Sequence, residues 1–431
     1  MHSKKRRRNE VNMKEENTLL VGYDLDNEYT QINCCTSSSE PETVFASGGM
    51  EQSMIPTALC CKEETGEWFY GSEALECRNQ KNGIYVDDLL GKLIRGENQT
   101  IFDIVYRPEQ LLEKFLRRTL GLLRTRYADQ GILQMVLTVR GLSHELSEKL
   151  KLVLEGLGLL EDRVQILDYG ECFMHYALSQ KKELWQNDVV LFDYGKKGLV
   201  HYQLTIGKRT VPAAVMLHRE DLSNEFPYAL LQRESPERLS FHFMDVAEVL
   251  LHRQLVSTLY FTGTGFEGAW AVDTMKKLCF NRRVFRGQNL YTKGACYAAK
   301  AIYTGGRKDI LLLSEERLYS SFSLKVYHNT KEEEIILGRA GEEWKYAGNK
   351  LRVILDDTAC LEFTINNTMK KMPITVDMVL EGLTKRENKT IQLEIEVSFP
   401  DRNTAIVFVR DLGFGGFYET NYRVWEQTFV L

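Results

Sequence analysis

Two apolar runs far apart in the chain each end in an aspartate where a strand should turn back: Leu19-Leu20-Val21-Gly22-Tyr23-Asp24-Leu25 and Val189-Val190-Leu191-Phe192-Asp193-Tyr194-Gly195. A buried strand with a carboxylate at its C-terminal end delivers that group to the crevice where α/β sheets hold ligands. Each run is followed by an alternating segment, residues 29–34 and 199–206, which reads as the return strand of a hairpin. The pattern of strand, aspartate, turn and strand occurs twice and predicts two halves facing one cleft.

A chain of 431 residues exceeds one ordinary core, so two or three packed units are expected. Hydrophobic residues make up 43% and charged residues 27%, the balance of a soluble globular protein rather than a disordered one. The net charge of −5 gives no reason to expect a nucleic-acid partner. The one basic cluster, Lys4-Lys5-Arg6-Arg7-Arg8, lies in a polar tail over residues 1–17, which reads as a disordered, solvated arm. No apolar stretch suits a signal peptide or approaches the roughly 20 residues of a membrane span, so the expected location is the cytoplasm. The cysteine count of nine is odd and gives no C-x-x-C or zinc spacing. Cys34-Cys35 and Cys60-Cys61 therefore read as buried reduced thiols. Scattered histidines and the lack of a G-x-S-x-G elbow remove the common zinc and serine-hydrolase readings.

Strands and helices alternate from Thr18 to about Tyr303. Arg107-Pro108-Glu109 opens an amphipathic helix, Ser143 caps a second one carrying Leu146, Leu150 and Val153, and the strand 164–167 runs into Asp168. After Gly305-Gly306 helical periodicity fades. Ile391, Leu393, Ile395, Val397 and Phe399 alternate with Gln392, Glu394, Glu396 and Ser398, as in a strand with one wet face, and the region reads as a small antiparallel sandwich.

These residues carry a resemblance. Gly22-Tyr23-Asp24-Leu25 and Asp193-Tyr194-Gly195 look like the two phosphate loops of the ATPase superfamily of actin, sugar kinases and seventy-kilodalton heat-shock chaperones, and the chain resembles the chaperones most closely. Gly71-Ser72-Glu73-Ala74, the segment Leu89 to Gly96, Ile166-Leu167-Asp168 with its helix, Thr262-Gly263-Thr264-Gly265, Lys293 to Ala299 and Asp309 to Leu313 follow in the family's order. The resemblance implies an α/β actin-like two-lobed nucleotide-binding fold over 18–306, a linker over 307–314 and an antiparallel, lidless β-sandwich of peptide-binding type over 315–431. It further implies ATP or ADP with Mg²⁺ as cofactor, with Asp24 and Asp193 on the metal side. Asp168 and Asp193 would act in catalysis, and Gly22, Asp24, Gly195, Gly263, Thr264 and Gly265 would contact the nucleotide.

The sequence departs from that pattern at the phosphate-binding positions. Asp26-Asn27-Glu28 stands where the family has glycine and threonines, Lys196-Lys197 replaces a glycine run, and Leu75 takes the place of an expected lysine. A carboxylate roughly 5 Å from a phosphate charge costs on the order of 3 kcal/mol at an effective dielectric of about 20. The segment between Asp193 and Gly263 is also shorter than the family's adenine-covering subdomain. Gly263-Thr264-Gly265-Phe266-Glu267-Gly268 matches a dinucleotide fingerprint as well, but no acid follows at the required distance.

The expectation is thus a chaperone-like or protein-interaction protein with a degenerate nucleotide domain, a pseudo-ATPase whose cofactor site is empty or binds without turnover. It would bind a protein or peptide client. The alternatives are an active Mg²⁺-dependent ATPase or small-molecule kinase, and an actin-like filament or scaffold protein. Phe414, Phe417, Tyr418, Tyr422 and Trp425 line a peptide groove or form aromatic core beside a turn, and Ile310 to Leu313 act as a switching linker or a permanent edge strand; both pairs of readings stay open.

Overall fold

The computed structural model describes residues 18–46, 53–128, 130–208, 210–328, 331–356, 358–368, 370 and 372–431. The basic tail expected over 1–17 lies outside the described residues. Two compact units result: unit 1 comprises residues up to 201 and 221–306, and unit 2 comprises 202–220 and 307–431.

Unit 1 is built on one arrangement used twice. In the first half, β1 (Thr18–Leu25) runs antiparallel to β2 (Tyr29–Cys35) and parallel to β3 (Gly131–Val139), and β3 runs parallel to β4 (Val164–Asp168). In the second half, β5 (Asp188–Gly195) runs parallel to β6 (Val256–Thr262), and β6 runs parallel to β7 (Arg283–Arg286). The registers correspond: Asp24 sits opposite Thr138, and Asp193 sits opposite Thr262. β1 and β5 are buried along almost their whole length, which is why both read as unbroken apolar runs.

Helices cover the strands as their apolar faces require. The Pro108–Arg126 helix lays Leu111, Leu112, Phe115 and Leu116 into the core with Leu19, Val21 and Tyr23, and the Tyr23 hydroxyl is hydrogen-bonded to Thr119 Oγ1 at 2.7 Å. Ser143 accepts from the Leu146 amide at the start of the His144–Gly156 helix, the cap its sequence predicts. The Leu290–Thr304 helix lies directly on β1, so that a Cβ at Gly22 would fall on the Thr292 carbonyl oxygen and the Cys296 amide. The second half has an aromatic core in which Phe192, Tyr194, Phe226, Phe243, Phe261, Phe266 and Trp270 pack edge to face or tilted.

One expectation changes. Cys60 on the Leu59–Lys62 strand and Cys77 on the Gly71–Gln80 helix are joined as a disulfide, so Cys60 is not the free thiol expected. The helix packs on the strand and brings together two cysteines that no sequence motif pairs. The segment Ile310–Leu313, for which a switching linker and a permanent edge strand were both open, forms a strand parallel to Ala213–Asp221, with Val215 opposite Leu312. Four consecutive apolar residues gain cover this way, and Leu313 is fully buried. Residues 202–220 accordingly belong to unit 2.

The rest of unit 2 forms two four-stranded antiparallel sheets. One has the order β9-β8-β11-β12, from β8 (Ser320–His328), β9 (Lys331–Gly338), β11 (Cys360–Asn367) and β12 (Ile374–Val379). The other has the order β10-β13-β14-β15, from β10 (Gly348–Ile354), β13 (Gln392–Asp401), β14 (Thr404–Asp411) and β15 (Val424–Val430). Their apolar side chains share one core, in which Phe322 stacks on Phe363 at 5.0 Å and both meet Phe429. Leu393, Ile395, Val397 and Phe399 are buried while Glu396 and Ser398 are exposed, but Glu394, expected on the wet face, is buried among Lys350, Arg352 and Arg410.

Candidate functional site

The strand ends that carry Asp24 and Asp193 open on one cavity of about 140 Å³ in unit 1. Both hairpin turns contribute to its wall: Asp26 and Glu28 from the first, Lys196 and Lys197 from the second. Arg140, Tyr169 and Tyr291 complete its interior.

Asp193 is 1% exposed, and a carboxylate so buried needs partners. Its Oδ2 accepts from the Arg140 guanidinium at 2.6 Å and from the Tyr291 hydroxyl at 2.8 Å. Arg140 follows the last residue of β3, and its guanidinium lies 5.0 Å from the centre of the Tyr169 ring, within cation–π range. Tyr169 and Tyr291 stack with centroids 3.9 Å apart. The Tyr169 hydroxyl donates to Asp24 Oδ1 at 2.7 Å.

Asp24 is governed first by burial, which pushes its carboxyl up to about 8; the Tyr169 hydrogen bond and Arg140 act against that rise, and Asp26 and Asp193 add to it. Burial thus favours the protonated form of the Asp24 carboxyl. At the mouth, Lys196 Nζ is 2.8 Å from Glu28 Oε1, and this partner raises the Lys196 ammonium. The two turns are joined to each other by opposite charges.

Of the residues singled out from sequence, Asp24, Asp193, Gly195, Gly263 and Thr264 line the cavity. Gly263, at φ +93°, exchanges two hydrogen bonds with the Gln288 side chain. Asp168 has another place: Oδ1 accepts from the Gly170 amide, capping the Tyr169–Ser179 helix, and Oδ2 accepts from the Gly141 and Leu142 amides. It fixes the turn that follows Arg140 and is not part of the cavity wall. Gly22 lies under the Leu290–Thr304 helix, and Gly265 lies against the Tyr194 ring.

Sequence reasoning missed Arg140, Tyr169 and Tyr291. Arg140 carried a signal, being the first charged residue after a buried apolar strand that neighbours β1. Tyr169 directly follows Asp168, and Tyr291 had no local signal at all.

A Mg²⁺ ion with a nucleotide would need ionised oxygen ligands and room. Asp24 is buried and hydrogen-bonded to Tyr169, Asp193 is engaged by Arg140 and Tyr291, and among the described residues no group of three or more His, Cys, Asp or Glu is disposed around a metal position. The volume of about 140 Å³ is also below the roughly 300–1,000 Å³ of small-molecule sites. In this conformation the residues do not fit the metal–nucleotide pair.

Unit 2 carries a larger groove of about 770 Å³ beside β8 and β10, lined in part by Tyr327, Ile335, Ile354 and Leu361. None of the five C-terminal aromatics lines it. Phe417 and Tyr422 are exposed at 86% and 82%, while Trp425 packs against the edge of the core and donates to the Glu381 carbonyl.

Residues 40–315 match a family of unknown function, DUF5716, over its C-terminal part, and residues 317–431 match a domain of unknown function, DUF8552. The junction between the two matches falls just after the Ile310–Leu313 strand. No match was found among curated proteins.

Proposed function

We propose, for a chain that belongs to the DUF5716 family of unknown function, that unit 1 is a degenerate actin-like nucleotide domain that does not turn over ATP. In the same reading unit 2 is a β-sandwich that binds a protein or peptide, and the whole is a chaperone-like interaction protein. The duplicated strand arrangement, with an aspartate at each first-strand end, supports a two-lobed ancestry for unit 1. Two antiparallel sheets over one core support the sandwich.

The observation that carries the proposal is the contact between the two turns. Turns that cradle phosphate offer backbone amides and positive charge to the ligand. Here the first turn offers Asp26 and Glu28, and Glu28 takes up Lys196 of the second. A phosphate chain entering between them would meet two carboxylates and would have to part an ion pair. The sequence alternative of an active ATPase is tested by phosphate release from ATP and Mg²⁺. The proposal predicts a rate indistinguishable from buffer and unchanged by Asp193→Asn. Steady turnover abolished by Asp193→Asn would make the protein an enzyme.

A further inference from the structure

The disagreement between the cleft and a metal ion centres on Arg140. The geometry points to Arg140 as a tethered cation that holds the Asp193 strand end against the first half of unit 1, doing at that carboxylate what a bound metal ion would otherwise do. This rests on the cleft geometry and not on the nucleotide-domain reading.

Three features make the assignment. First, the Arg140–Asp193 pair joins the two repeated halves, with Arg140 at the end of β3 and Asp193 near the end of β5. A charge-assisted contact at 2.6 Å to a carboxylate that is 1% exposed is the kind of ion pair whose loss leaves a buried charge unpaired. Second, the guanidinium is the middle of a continuous chain of contacts. It meets Asp193 on one side and the Tyr169 ring on the other; the Tyr169 hydroxyl meets Asp24, and Tyr291 closes the circuit by touching both Tyr169 and Asp193. Third, Arg140 is positioned in advance, because both amides after it, of Gly141 and Leu142, are held by Asp168 Oδ2. Asp168 thereby acquires a role as a positioning residue.

A divalent ion would have to displace a guanidinium that is already in place and covalently attached, so its effective concentration exceeds that of a free ion at ordinary levels. Without Arg140, two carboxylates and two tyrosine hydroxyls would face the gap, an oxygen-rich setting for a hard cation or for a free guanidinium.

The test uses the full chain as wild type, Arg140→Ala and Arg140→Lys, followed by thermal unfolding with MnCl2 and with non-denaturing, low-millimolar guanidinium chloride. The wild-type midpoint should not respond to Mn²⁺. Arg140→Ala should melt several degrees lower, recover part of that loss with guanidinium or Mn²⁺, and bind Mn²⁺ at least about tenfold more tightly than wild type by electron paramagnetic resonance. Arg140→Lys should melt between the two and ignore Mn²⁺. A wild-type midpoint that rises with Mn²⁺ as much as the variant's, or a folded Arg140→Ala that responds to neither cation, would overturn the inference. Should Arg140→Ala fail to fold, the double variant Arg140→Gln/Asp193→Asn decides. Restored folding supports an unpaired buried charge as the defect, and continued failure contradicts it.

Discussion

The Tyr169 hydroxyl donates to Asp24 Oδ1 over 2.7 Å, tying the residue that opens the Tyr169–Ser179 helix to the end of β1. Asp24 is 8% exposed, and its burial drives the carboxyl up to about 8 while the Tyr169 hydroxyl and Arg140 act against that rise. The same cleft thus treats its two carboxylates differently: Asp193 is paired with Arg140, whereas burial raises the carboxyl of Asp24.

That difference predicts a pH dependence. The Asp24 carboxyl goes from about 4 in the unfolded chain to about 8 in the folded one. Between those values the folded state binds more protons than the unfolded state. Its contribution to stability is therefore complete below the unfolded value and is lost as pH rises through about 8. Asp24→Asn keeps an acceptor for Tyr169 and removes the titration. Chemical denaturation across pH should show wild type and variant similar near the acid end, with Asp24→Asn gaining on wild type by up to a few kcal/mol toward alkaline pH. A constant difference at all pH values would mean that Asp24 ionises normally.

Gly22 is predicted to be intolerant for a packing reason and not for contact with a ligand. An added methyl would collide with helix backbone at Thr292 and Cys296, which cannot rotate away. Gly22→Ala should cost about 1–3 kcal/mol or more by denaturant titration. A neutral result would show that the Leu290–Thr304 helix can lift from β1.

The strand-aspartate duplication was legible in the sequence because period and polarity change together there. In each copy, an apolar run that is buried on both faces is interrupted by a carboxylate, at Asp24 and at Asp193. The helices over 108–126 and 144–156 were legible through their proline, serine cap and apolar spacing. Arg140, Tyr169 and Tyr291 were not, because what they do depends on partners between 29 and 145 residues away along the chain. The part of Asp168 was not legible for a related reason. An acid at a strand end serves equally as a helix cap or as a reacting group, and only the amides of Gly141, Leu142 and Gly170 decide between them.

In unit 2 the Arg386–Asp411 pair is nearly solvent-free, with the side chains 6% and 0% exposed, and it is bidentate at 3.2 and 2.9 Å. Asp411 also accepts from the Gly413 amide. Arg386→Ala leaves that carboxylate buried without its cation and should cost about 3–5 kcal/mol in denaturant unfolding of the full chain. A loss below about 1 kcal/mol would be the size of an exposed pair and would mean that water reaches Asp411.

Leu313 tests whether the short strand after residue 309 is core. It is fully buried, and its strand pairs with Ala213–Met216. Leu313→Ala should destabilise by about 2–5 kcal/mol. Hydrogen exchange should find the amides of 311–313 protected in the wild type, whereas fast exchange there would return the segment to a flexible linker.

A cleft in unit 1 whose charges are met by its own side chains, as proposed, leaves a metal–nucleotide pair nothing to bind. Thermal unfolding of the full chain with increasing ATP and Mg²⁺ tests this most directly, because a ligand at 100 times its dissociation constant adds about 2.7 kcal/mol of stability. The account predicts a midpoint that does not move across the titration. A midpoint that climbs with nucleotide and stops climbing in Asp193→Asn would contradict it.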